Sequence, residues 1–506
     1  MRQTAQNHQN CKIMVPNAEK SKSRLATMTP STKAEEKKSQ KRKRKTKTSV
    51  PKPGEEGYKT PTQLRNERKR RAKQKANGGG EGNAEKKIVL DPSSQYLDNP
   101  KAAPIVHTAI DFFKSLEHEF EIHVGATTGW RTVAKLAVRT KDGAVSIGLF
   151  APNSHDLLPV PNCVAHHPSI NSAVVVLEQL CNKIGIQAFD DSTGKGHLRH
   201  VAINVERPTG KVQLTLVWNS QPHKEADVSE DKKLLDSLTN AIVAAGGGGR
   251  KRRRGRKGDE DPNPTKQDSL KGELKLHSLW IHFNASWKHD NAIFSIGAGA
   301  DSWKHVHGPK VIEETLELHG QPAPVALHFP PNVFRQANID AFTKILGAIR
   351  TKITSKFANK PSCVELYGGV GTIGLNVADL TSPLISSDEN PFNKECFLTA
   401  ATALNDAAKV SYDSKNATAM VQSNALEKGQ IIIVDPPRKG LDEEVLTALC
   451  SAEKPELLVY VSCGFDAFQR DCNALLQSGW KLDHAEGHIL FPGSDAIETL
   501  AFFVTE

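Results

Sequence analysis

From about residue 336 onward, short apolar runs alternate with longer amphipathic stretches. The runs "CVELYGG", "LISSD", "IIIVDPP", "LLVYVSC" and "IETLAFFV" read as buried strands. Between them "ANIDAFTKILGAIRTKI", "TIGLNVADL", "PFNKECFLTAATALND", "EEVLTALCS" and "AFQRDCNALLQSG" carry helical spacing. Strand, helix, strand, helix in strict alternation predicts an α/β unit over residues 331–506, a doubly wound parallel sheet covered on both faces. Parallel strands of this kind are apolar on both sides, as the β-branched run at 431–434 is. A ligand of such a sheet lies at the C-terminal ends of its strands.

Four motifs fall at those ends. "VELYGGVGTIGLNVAD" places Gly369, Gly371 and Gly374 as G-x-G-x-x-G between a strand and a helix, where the backbone can turn tightly and approach a cofactor. Asp388 closes the next strand and can accept the hydroxyls of a ribose. This pattern suits a nicotinamide dinucleotide and S-adenosylmethionine alike, and a Gly-rich turn without a ligand is the other reading. "IIIVDPPRKGL" stops a buried strand at Asp435, and Pro436-Pro437 fix an extended exit. Arg438 and Lys439 then point to an anionic substrate; a mere strand-ending turn is the other reading. "LLVYVSCGFDAFQRD" sets Cys463 between a strand and a helix beginning at about Ala467, where the helix N-terminus can favour a thiolate; a buried structural thiol is the other reading of the same residue. In "FPGSDAIETLAFF", Glu498 interrupts an apolar strand. It is either a solvated edge carboxylate or a general base with a raised pKa.

The rest of the chain differs in composition. Net charge is +10, but residues 1–88 alone carry 25 Lys and Arg against 8 Asp and Glu, leaving −7 on the remainder. That segment is nearly free of aromatics, contains "KKSQKRKRKTK" and is expected to be a disordered basic tail, a nuclear-import signal or an arm for a polyanion. Residues 100–330 mix strands such as "WRTVAKLAVR", "LRHVAINVE" and "KVQLTLVWN" with helices at 172–185 and 231–245. They predict a smaller α+β domain, interrupted at 246–268 by the basic insertion "GGGGRKRRRGRKG". The eight cysteines are scattered with no C-x-x-C pair, which suggests neither a disulfide scaffold nor a zinc ribbon and fits a reducing compartment better. No apolar run reaches membrane-spanning length, and an intracellular protein of nucleus or cytoplasm, without membrane attachment or an obligate protein partner, is expected.

Taken in order, "FPPNVFRQAN", "ELYGGVGTIGL", "VDPPRKGL", "YVSC" and "FPGSDAIET" resemble the RNA uracil-C5 methyltransferases, the family of the bacterial tRNA and 23S ribosomal RNA 5-methyluridine enzymes and their eukaryotic homologues. The resemblance covers roughly residues 100–506. It implies a Rossmann-like, class I S-adenosylmethionine-dependent methyltransferase domain with the smaller α+β domain against it and RNA, tRNA ahead of rRNA, between them. It places cofactor contacts on Gln336, Tyr367, Gly369, Gly371, Thr372, Asp388 and Asp435, and substrate contacts on Asp435 and Arg438. The nucleophile falls on Cys463 and the base on Glu498. Three departures stand out: Gly464-Phe465 where the family has Asn-Pro after its cysteine, Ala496 where it has His, and no cysteine cluster for an iron–sulfur centre. Two further readings stay open, an amino-group methyltransferase using Asp-Pro-Pro and an RNA-binding or RNA-folding protein without catalysis.

Overall fold

A computed structural model of the chain describes residues 91–505 except 92, 152–153, 225, 248–269, 287–292, 295–298, 405–408 and 452. The basic tail and, apart from Gly246 and Gly247, the basic insertion therefore lie outside the described residues. No described helix is long and apolar enough to cross a membrane.

Along the chain, helix α1 (Pro104–Ser115) and strand β1 (Glu121–Val124) come first. Strands β2 (Val133–Lys141), β3 (Ala144–Phe150) and β4 (Leu157–Pro159), helix α2 (Pro168–Ile184), strands β5 (Leu198–Glu206) and β6 (Lys211–Trp218), helix α3 (Glu230–Gly246), and strands β7 (Leu276–Phe283) and β8 (Trp303–His307) follow. Strands β2 to β8 form one seven-stranded sheet in the order β4-β3-β2-β5-β6-β7-β8, with α2 and α3 supplying Leu177 and Leu238 to its core. The β5–β6 hairpin turns at "RPTG" as its turn residues require. A second hairpin, β9 (Ile312–Leu316) with β10 (Val325–Phe329), leads into the larger unit.

That unit contains α4 (Ile339–Lys356), β11 (Cys363–Leu366), β12 (Leu384–Ser387), α5 (Asn393–Ala401), β13 (Val410–Asp413), α6 (Ala417–Gln422), β14 (Ile431–Val434), α7 (Glu443–Leu449), β15 (Leu457–Ser462), α8 (Phe465–Gln477), β16 (Lys481–Ile489) and β17 (Glu498–Val504). Its eight-stranded sheet runs β1-β16-β17-β15-β14-β11-β12-β13. Alternation along each strand feeds two cores. Ile431, Ile433, Leu457 and Val459 pack with α4 and α5, while Ile432, Val434, Leu458 and Tyr460 pack with α1, α6, α7 and α8.

The structure departs from the sequence reading at three points. The sheet is not wholly parallel, because β17 runs antiparallel to both β15 and β16. Only residues 490–497 join β16 to β17, too few for the crossover that a parallel pair needs. Residues 104–124 do not fold with the α+β segment. β1 lies parallel to β16, and α1 buries Val106, Ala109 and Phe113 beside Phe465 and Phe468 of α8. The helix expected after the Gly loop is a single 3-10 turn, Gly374–Val377.

Candidate active site

The chain leaves β11 toward β12 and β13 on one side and later fills β14 and β15 on the other, so the crevice opens between β11 and β14. On its cofactor side, Glu365 of β11 is wholly buried beneath the Gly loop. It accepts hydrogen bonds from the Gly374 amide at 2.7 Å and the Ser386 hydroxyl at 2.5 Å. A Cβ on Gly368 would sit 2.3 Å from Ser386 Oγ, and one on Gly374 would sit 2.3 Å from Glu365 Oε2. The glycines are thus demanded first by a buried carboxylate that the loop wraps. Gly369 and Gly371 add positive φ values of 57° and 90°.

Burial, opposed by these hydrogen bonds, pushes the Glu365 carboxyl up to about 7 from an ordinary 4.5. A carboxyl whose folded pKa is raised contributes stability that is complete below its unfolded pKa and is lost as pH rises through the folded one. Asp435, pushed up to about 7 from 3.8 by burial and by Glu365, acts in the same direction. The melting temperature is therefore expected to fall between about pH 5 and pH 8, and Glu365→Gln, which keeps an acceptor for the Gly374 amide, to flatten that fall. Thermal denaturation at several pH values checks this; a parent-like slope in Glu365→Gln would assign the decline elsewhere.

The other residues assigned to the cofactor gather around the same loop. Asp388, at the tip of β12, accepts from the Gly369 amide at 3.2 Å and the Asn390 amide at 2.8 Å. Thr372 lies within the loop, its carbonyl accepting from Asn376 Nδ2 at 2.9 Å. Gln336 is buried in the connection from β10 to α4, next to Arg335, which is paired with buried Glu314 and donates to the Val205 carbonyl at 2.9 Å. Tyr367 takes the left-handed conformation, φ 58°, uncommon for a bulky residue. Its hydroxyl donates to Asp442 Oδ2 at 3.0 Å, so it ties the Gly loop to the segment that follows Asp-Pro-Pro.

On the opposite side, β14 stops at half-buried Asp435, and Pro436-Pro437 lead to exposed Arg438. This loop is anchored from below. The Leu441 amide donates to Asp471 Oδ2 at 2.9 Å, and that fully buried carboxylate also accepts from Tyr460 Oη at 2.7 Å and Arg470 Nε at 2.8 Å. β15 ends at Ser462, so half-buried Cys463 stands at its lip. The β15–β17 register pairs Ser462 with Thr499, which brings buried Glu498 beside the cysteine. Gly464 lies so close to the Arg438 backbone that a Cβ there would meet the Arg438 carbonyl oxygen at 2.3 Å. Phe465 opens α8, two residues earlier than the sequence indicates, and packs edge-on to Phe112 at 5.9 Å.

The structure therefore brings together Cys463, Glu498, Asp435 and Arg438. Burial first, and then the carboxyls of Glu498 and Asp435, push the Cys463 thiol up to about 12, against the opposing pull of Arg438. The thiolate-stabilising helix N-terminus expected from sequence is outweighed here: low dielectric and two nearby acids favour the neutral thiol. Glu498 is held well above the carboxylate range by burial and Asp435. It lies inside the sheet between two neighbours, not on a solvated edge. Sequence reasoning missed Glu365, Asp442 and Asp471. Glu365 did carry a signal, as the one acid within an otherwise apolar strand.

No family model matches the chain. It is 34% identical over 405 residues to an uncharacterized RNA methyltransferase of Protochlamydia amoebophila, covering 79% of this chain and 92% of that protein. An uncharacterized RNA methyltransferase of Lactococcus lactis is 26% identical over 385 residues, 74% of this chain and 71% of its own. Among solved structures, the Pyrococcus abyssi tRNA (uracil-54, C5)-methyltransferase, crystallised with S-adenosyl-L-homocysteine, superposes with a TM-score of 0.53 at 19% identity, over 78% of this chain and 81% of that one. That superposition shows a shared fold.

Proposed function

We propose that this chain, which belongs to the RNA methyltransferase family, methylates carbon 5 of uracil in a structured RNA, tRNA ahead of rRNA, through a covalent bond from Cys463 to carbon 6. The observation that carries this reading is the convergence of Cys463 and Glu498 from adjacent strands at the crevice, with Asp435 alongside. Methylation of an exocyclic amine needs no cysteine, and a binding protein needs no buried base.

The residues of the cofactor side fit S-adenosylmethionine. The glycine loop brings backbone close over Glu365, and Asp388 presents a carboxylate of the kind a ribose diol requires. Gln336, Tyr367, Gly369, Gly371, Thr372, Asp388 and Asp435 would hold it there. Bound, it supplies an electrophilic methyl group on a cationic sulfur. Uracil carbon 5 is a poor nucleophile until the Cys463 thiol passes its proton to the neighbouring Asp435 carboxylate and the sulfur adds to carbon 6, driving electron density onto carbon 5. After that carbon gains its methyl group, Glu498 in its ionised form removes the remaining carbon-5 proton, the ring double bond reforms, the Cys463–C6 bond breaks and the sulfur takes its proton back from Asp435. The target base leaves its stack to enter the crevice, at a cost of about a few kcal/mol. Exposed Arg438 is placed to meet an RNA phosphate.

The test is incubation with 5-fluorouridine-substituted RNA and S-adenosylmethionine. Fluorine cannot leave as a proton does, so the cysteine–RNA bond persists and a denaturation-resistant adduct is expected. Methylation without an adduct would favour the amino-group chemistry instead. The geometry also bears on Gly464. Gly464→Ala must push the Arg438 backbone away from the nucleophile, and kcat is expected to fall about a hundredfold while the cofactor Kd stays unchanged. Steady-state kinetics with a cofactor titration separates the two.

A further inference from the structure

Beside the crevice, on the strand next to β17, one face of the β1–β16 ribbon gathers four side chains of metal-ligand type, and its His488 is paired in register with Glu498. His484, Glu486 and His488 alternate along β16, so strand periodicity directs them to one face. His123 of β1 is in register with His488 and joins them from the neighbouring strand. All three rings turn Nε2 toward a single carboxylate. His123 lies 3.2 Å and His484 3.4 Å from Glu486 Oε2, and His488 lies 2.9 Å from Glu486 Oε1. The ligand atoms of His123, Glu486 and His488 fall within 4.8 Å of one another.

From these positions we infer that His123, Glu486 and His488 form a binding site for a zinc-type divalent cation, its fourth position left to water. A tetrahedral ion with bonds of about 2.0–2.1 Å spaces its ligand atoms about 3.3 Å apart, close to the nitrogen–oxygen separations around Glu486. Two imidazoles and one carboxylate suit zinc and its first-row neighbours, and not magnesium or calcium, which take oxygen. The surroundings fit as well. Glu486 and His488 are buried, whereas the His484 side chain is 46% exposed and leaves an entry path. Glu121 Oε1 lies 3.7 Å from His123 Nδ1, a nearby negative charge on the other side of the ring. Because the scattered cysteines contribute nothing, the site escapes a search for cysteine spacing. It is legible only as "HAEGH" on a strand plus a histidine more than 350 residues upstream.

Full-length protein stripped with a chelator and titrated with Co2+ is expected to bind one ion at this site, with the visible absorption of a four-coordinate centre and without the near-ultraviolet band of thiolate ligation. Zn2+ should displace it. His123→Gln and Glu486→Gln are each expected to weaken Co2+ binding more than about a hundredfold. Circular dichroism checks that the variants fold, and His123→Gln, on an edge strand with a partly exposed side chain, remains decisive if Glu486→Gln does not. No Co2+ uptake by folded parent protein, or parent-like binding by His123→Gln, would overturn the inference and leave a hydrogen-bonded network only.

Discussion

Replacing Cys463 by Ala is expected to lower methyl transfer to RNA by about 10^4-fold or more while S-adenosylmethionine still binds. The barrier that the sulfur removes is chemical. Without addition at carbon 6, uracil carbon 5 offers no electron pair for a methyl group, and each lost factor of ten is about 1.4 kcal/mol of transition-state stabilisation. The side chain lies at the end of β15 and is half-buried, so the variant should fold. Calorimetric titration of the cofactor and a tritium-transfer assay measure the two quantities separately. Retention of more than about a tenth of the parent rate would end the covalent mechanism. A pKa near 12 adds a signature: in the unliganded protein, alkylation of Cys463 should accelerate about tenfold per pH unit through the neutral range, as expected of a protonated thiol.

Glu498→Gln is expected to divide the reaction at its last step. The amide keeps the shape of the side chain but cannot take a proton from carbon 5. Turnover should therefore fall by about 10^2- to 10^4-fold, while one round of methylation accumulates as protein bound covalently to ordinary, unfluorinated RNA. The substitution also removes one of the two carboxyls that hold the Cys463 proton in place, so formation of the adduct should not slow in proportion. Denaturing gels with labelled cofactor would show the methylated complex. Release of free methylated RNA at the parent rate would transfer the role of base to another group, Asp435 first.

The alternation of strands and helices after residue 336, the Gly loop and the strand-end positions of Asp388, Asp435 and Cys463 were legible because each depends on local periodicity and turn chemistry. Long-range partners set what was not. That β17 is antiparallel and puts Glu498 inside the sheet depends on pairing with β15. The elevated thiol pKa depends first on burial and then on two acids, 28 residues before and 35 residues after Cys463 in the chain. Gly464 stood in the sequence only as a departure from the resembled family's Asn. In three dimensions it is the residue that lets the Asp-Pro-Pro-Arg backbone pass over the nucleophile's turn, and only the approach of Arg438 reveals that.

The pairing of β1 with β16 also bears on the order in which the protein can be made. His123 and Glu486, which meet across that ribbon, are 363 residues apart in sequence. At about 5–20 residues per second, the ribosome takes roughly 20 to 70 seconds to supply the partner after the first strand emerges. Through that interval α1 also lacks Phe465 and Phe468, so its apolar face and a bare strand edge travel together on the nascent chain. The seven-stranded sheet can close long before, since all its strands are synthesised by residue 307. Completion of the catalytic unit is thereby tied to release of its last residues, and a chain cut short before α8 has neither partner for its own beginning.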